Sequence, residues 1–141
     1  MTRLAALLVL VSACAHAHVE DWTARASELC ATIPTTTNPF RRAPALRDVE
    51  YTGRVEENET MNGTERFFWR VESPDPMRRV GLVLSDGAPI AMWIELADSV
   101  AHVCARLGWP VDDDGCTSVR SHALVSVFDV EHTTRLQCIR H

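Results

Sequence analysis

Four cysteines lie beyond residue 17: Cys30, Cys104, Cys116 and Cys138. Thiols can pair as disulfides, hold a soft metal or act as nucleophiles. A structural zinc site calls for paired Cys-x-x-Cys or His-x-x-x-His spacing, and the chain has neither. An even number of cysteines behind an export signal reads as two disulfides. We expect Cys104–Cys116, because both would lie on adjacent helices joined by a short loop. Cys30–Cys138 then follows, tying an N-terminal helix to the C-terminus.

Other residues suggest chemistry with less context. Asn58-Glu59-Thr60 and Asn62-Gly63-Thr64 are N-glycosylation sequons, and both fall in one polar stretch. Cleavage after Ala17 would leave His18 as the first residue, whose amine and imidazole together can chelate copper. A second ligand would have to come from His102, His122 or His132. Cleavage after Ala15 would leave His16-Ala17-His18, a square-planar Cu(II) pattern. The bland alternative is an unoccupied terminus, so no cofactor is expected. Asp112, Asp113 and Asp114 lack the spacing of a calcium loop and read as a helix cap. His102 and His122, the latter near Asp129 in sequence, are candidate general bases only if a carboxylate lies beside them. Ser85, Ser99 and Ser126 have no Gly-x-Ser-x-Gly context. Arg66, Phe68 and Arg70 alternate along one face of a strand and form a cationic-aromatic stripe suited to recognition.

The compartment follows from the N-terminus. Arg3 precedes an apolar run of ten residues, 4–13, and then small residues at cleavage spacing. That is the pattern of a secretory signal peptide over residues 1–17. The run is shorter than the about 20 residues a spanning helix needs, and no other stretch is apolar enough to cross a membrane. Val11-Ser12-Ala13-Cys14 also resembles a bacterial lipobox, which would anchor the chain through a lipid on Cys14. The net charge of −5 argues against a dedicated nucleic-acid binder, which shows a basic face.

The elements that would position these residues follow from periodicity. Trp22, Ala26, Leu29, Cys30 and Ile33 share one helical face. Residues 33–44 hold three prolines and three threonines and read as a linker. Strands are expected over residues 48–56, 65–72, 80–84 and 90–96, with a loop at 57–64 and turns at 73–77 and Asp86-Gly87. Asp98 should cap a helix over 98–107 that Gly108 ends. Asp112–Asp114 should cap a second helix carrying Cys116, Val119 and Ala123. Residues 124–130 read as a strand, and 135–140 as an ambiguous closing strand. The expected fold is therefore α+β: a four-stranded antiparallel meander packed against two or three short helices and stapled by disulfides. Residues 18–46 would form an N-terminal helix and linker, and residues 47–141 a single domain.

These readings converge on a small secreted, N-glycosylated, disulfide-stabilised protein that binds a protein or glycan partner. No catalytic motif is present, so an enzyme is not the expectation. The alternatives are a secreted enzyme or copper protein using His18, and a lipoprotein anchored at Cys14.

Overall fold

The computed structural model describes residues 21–33, 37–41, 46, 48–57 and 63–140. Residues 1–17, Cys14, His16, His18 and the sequon asparagines Asn58 and Asn62 lie outside the described residues.

The chain begins with helix α1, Trp22–Ala31. The Asp21 carboxylate caps it, accepting a hydrogen bond from the Thr23 amide at 3.0 Å. Its apolar stripe, including Ala26, Leu29 and Cys30, is buried. A short 3-10 turn, Pro39–Arg41, follows. It brings Phe40 against Tyr51, with ring centroids 3.9 Å apart. Four strands come next: β1 Glu50–Glu56, β2 Thr64–Ser73, β3 Met77–Ser85 and β4 Ala88–Leu96. Helix α2, Val100–Leu107, is followed by β5 Cys116–Arg120, β6 Ala123–Val130 and β7 Thr133–Arg140.

The strands form one seven-stranded sheet in the order β1-β2-β3-β4-β7-β6-β5. Every neighbouring pair is antiparallel. The expected four-stranded meander is thus corrected: it forms only part of a larger, mostly β architecture with two α-helices among the described residues. The segment expected to be the second helix is strand β5. Asp112 caps no helix there. Its Oδ1 instead accepts from the amides of Asp114 at 3.1 Å and Gly115 at 3.0 Å, which folds the loop back on itself. Gly115 then passes so close to β6 that a Cβ would lie 1.8 Å from the Val127 carbonyl oxygen. That close pass sets Cys116 opposite Val127. Thr117, Ser118 and Val119 continue as β5; two of the three are β-branched and suit a strand. The terminal segment, read as an ambiguous closing strand, does form a strand, β7. Strand β7 lies between β4 and β6, with Leu136 and Cys138 fully buried.

Period-two alternation sends Phe67, Trp69, Leu82, Ile94, Val125 and Leu136 to one face, where they join the buried cluster. Both helices cover that face. Cys30–Cys138, with Cα atoms 5.4 Å apart, fixes α1 across the sheet centre. Cys104–Cys116, with Cα atoms 6.1 Å apart, fixes α2 to the β5 edge. Cys104 therefore joins a strand residue rather than a residue on a neighbouring helix. The α2 cap is also shifted by one position. Ser99 Oγ accepts from the His102 amide at 3.2 Å, so Ser99 is the N-cap. Gly108, at φ 70°, ends the helix.

Candidate functional site: the open sheet face

Alternation along β2 that buries Phe67, Trp69 and Val71 sends Arg66, Phe68 and Arg70 to the opposite face. None of the described helices lies on that face. Strand register extends the stripe into rows. Phe68 sits opposite Gly81, Gly81 opposite Trp93, and Trp93 opposite Gln137. One row along, Arg70 faces Arg79, Arg79 faces Glu95, and Glu95 faces Arg135. Arg66 and Arg70 are exposed, while Phe68 between them is buried.

Glu95 is the centre of this arrangement. Its side chain is 0% exposed. Arg79 Nε donates to Oε2 at 2.5 Å, and Arg135 Nη2 donates to Oε1 at 2.7 Å. Each guanidinium also lies over a ring, Arg79 at 5.1 Å from the Phe68 centroid and Arg135 at 4.0 Å from that of Trp93. Cation–π contact of this kind favours a desolvated guanidinium. The Trp93 ring in turn lies flat across Gly81, where a Cβ would come within 1.9 Å of it. Gly81 is therefore part of the site: it leaves the space that the ring fills. The Nε of Arg135 is enclosed and has no hydrogen-bond acceptor among the described residues.

At the far side of the same face, the loop carrying Asp112, Asp113 and Asp114 overhangs Thr117, Ser126, Phe128, Asp129 and Gln137. Together they line a cleft of about 750 Å³. The open face is thus basic over β2 and β3 and acidic beside β5. Val119 and Ile139, two of the large exposed apolar side chains, also lie on it.

The remaining sequence candidates lie elsewhere. His102 is on the exposed side of α2. Its Nδ1 is 2.8 Å from Asp98 Oδ1, and its Nε2 accepts from Arg106 Nε at 3.2 Å. Arg106 also reaches the α1 cap, Asp21, at 3.3 Å. Burial pushes the Asp98 carboxyl upward. The hydrogen bonds from His102 and the Ser99 amide, with the charges of His102 and Arg106, outweigh that and hold its pKa below the ordinary value. This chain of groups ties α2 to α1. His122 lies in the β5–β6 turn and Asp129 near the far end of β6, so the two do not meet. His122 instead borders a second cavity of about 520 Å³ with Thr32, Ser121 and Arg140. Ser99 is occupied in capping. Among the described residues no group of three His, Cys, Asp or Glu side chains is placed to hold a metal.

Sequence reasoning missed Arg79, Trp93, Glu95 and Arg135. One signal was present: Glu95 interrupts the apolar run Met92-Trp93-Ile94-Glu95-Leu96. Its partners, 16 and 40 residues away, could be identified only once the strand order was known. Comparison with family models, with curated proteins and with solved structures finds no match for this chain.

Proposed function

We propose that this is a secreted binding module that engages a macromolecular partner across the open face of its sheet. The observation that carries the reading is the ordered lattice of arginines and aromatic rings on a face that the described helices leave free. Arginine is enriched at interfaces, and here Arg66 and Arg70 are exposed while the Phe68 and Trp93 rings lie buried against the Arg79 and Arg135 guanidiniums. Catalysis is the poorer reading of the same residues. A general acid or base must reach the proton it transfers, and Glu95 is closed off between two guanidiniums. Two disulfides stabilise the fold, and such bonds persist in oxidising compartments, which supports export. Processing after residue 17, glycans at Asn58 and Asn62, and a 47–141 domain preceded by residues 18–46 belong to the same proposal.

Hydroxyl-radical footprinting tests the binding reading. The protein is labelled alone and again in the fluid into which its host secretes it. Val119 and Ile139 on the open face should be protected in the fluid. Tyr51, exposed on the helix-covered side, should not be. Arg66→Glu/Arg70→Glu should remove the protection. Unchanged labelling of Val119 and Ile139 would refute the proposal.

A further inference from the structure

Arg70 and Arg79 stand directly opposite each other on neighbouring antiparallel strands. Like charges in that position destabilise a strand pair, so the arrangement costs the fold something. Arg70 is exposed and has no hydrogen bond or ion pair among the described residues. Arg79 is different, because it is held in place. Its Nε is fixed on the fully buried Glu95 carboxylate, and one face of its guanidinium lies over Phe68. Those contacts leave both terminal nitrogens without a partner among the described residues. Across β4, Arg135 has the same anchor. Arg79 and Arg135 therefore share one carboxylate, and Arg70 adds a third guanidinium with no acidic partner among the described residues, in a row across four adjacent strands. This surplus of positive charge sits in a chain whose net charge is −5.

We propose that Arg70 and Arg79 form a clamp for an oxyanion, the chemistry shared by sulfate, phosphate and carboxylate groups. This rests on the reading that the open face is the docking surface. Arg79 presents its two terminal nitrogens as a fork, the geometry that suits bidentate pairing with such groups. Arg70 closes the anion from the adjacent strand. The like-charge pairing of the two arginines across the strands then becomes an attraction shared through the bound anion. Glu95 and Phe68 are positioning residues: they fix the plane and direction of the Arg79 fork and take no part in holding the anion. Glu72 lies two residues beyond Arg70 on the same face and is exposed. Its carboxylate opposes the anion and sets an upper limit on affinity.

The clamp is tested on the full, oxidised chain with inorganic anions alone. Sodium sulfate, phosphate and acetate are titrated separately against sodium chloride at matched ionic strength, while the Arg Nε–Hε resonances are followed by NMR. At least one oxyanion should shift the Arg79 resonance saturably where chloride does not, and the arm that binds tightest identifies the group. Arg70→Gln, at an exposed side chain without partners among the described residues, should weaken binding on the order of threefold, the worth of one exposed charge contact. Glu72→Gln should tighten it by a similar factor. The proposal is overturned if no oxyanion gives a saturable shift, if chloride does as well, or if Arg70→Gln binds as the parent does. Loss of the clamp with the open-face footprint intact defeats this inference alone. Anion binding without a footprint defeats the docking reading alone.

Discussion

Replacing Glu95 with Gln probes the centre of the open face while nearly preserving its shape. The carboxylate accepts from two guanidiniums at 2.5 and 2.7 Å. A carboxamide has one acceptor oxygen, so one arginine keeps a partner and the other meets an NH2 group. A hydrogen bond to a charged group contributes about 1.5–3 kcal/mol. Removing one member of a buried pair costs about 3–5 kcal/mol when the orphan cannot reach water. Here the orphans partly can: the Arg135 side chain is 18% exposed and that of Arg79 33%. The expected loss is therefore about 3 kcal/mol, at the low end of that range. For a urea m-value of about 2 kcal/mol/M, the unfolding midpoint should fall by about 1.5 M. The assay is equilibrium urea unfolding of the oxidised protein, followed by far-UV circular dichroism. Arg66→Gln, exposed on the same face, serves as the reference and should change stability by less than about 0.5 kcal/mol. A midpoint shift below about 0.25 M for Glu95→Gln would refute the reasoning, since at that m-value it is no more than the effect of an ordinary surface change. Strict additivity of Glu95→Gln with Arg79→Gln would refute the coupling between them.

Removing the Cys30–Cys138 bridge by paired Ala substitution should cost more than removing Cys104–Cys116. The closed loops span 108 and 12 residues, and the chain-entropy model gives about 4.8 and about 2.8 kcal/mol. Denaturant midpoints of the two double variants check the order, and equal losses would count against the entropic account. Gly81→Ala should displace the Trp93 ring, weaken the near-UV circular dichroism of the folded state and lower the melting temperature; an unchanged spectrum would contradict the close packing of that ring on Gly81. The Asp98 pKa is lowered in the folded state from its ordinary value of 3.8. Its contribution to stability is therefore complete above that value and disappears as pH falls through the lower folded-state pKa. Asp98→Asn should flatten the acid limb of a melting-temperature profile below about pH 4, and a limb as steep as the parent's would remove Asp98 as a contributor.

The parts of the fold that depend on local pattern could be read from the chain. The stripe of Trp22, Ala26, Leu29 and Cys30 marks α1, and Phe67, Trp69 and Val71 mark the inward face of β2. The errors arose where tertiary contact decides. Cys116, Val119 and Ala123 fit helical spacing, and three aspartates in a row resemble a cap, whereas the strand turns Cys116 inward and Val119 to the open face. Gly115 resolves the ambiguity, because its passage against Val127 sets the β5–β6 register. That contact has no local signature. Ser99 took the capping role from Asp98, whose carboxylate turned to His102 instead. The stripe of Arg66, Phe68 and Arg70 was visible in the sequence. Its extension through Arg79, Glu95 and Arg135 was not, because β7 joins the sheet beside β4 only after the chain has passed through α2, β5 and β6.

The division of labour between the two faces explains why so polar a lattice can be kept. Core residues, both helices and both disulfides lie on the same side of the sheet, so that side holds most of what stabilises the fold. A buried ion cluster adds little net stability compared with well-packed apolar residues of the same size. An apolar replacement for Arg79, Glu95 and Arg135 would therefore not be expected to weaken the sheet. It would, however, merge with Phe68, Trp93, Ile139 and Val119 into a broad exposed apolar surface, a form that invites indiscriminate association. The charged lattice keeps the face compatible with water while fixing two guanidiniums in defined orientations. A rigid, partly desolvated array of donors loses less side-chain freedom on binding than mobile surface arginines would. On the proposed binding reading the lattice serves directional recognition, and its energetic cost is offset by the opposite side of the sheet.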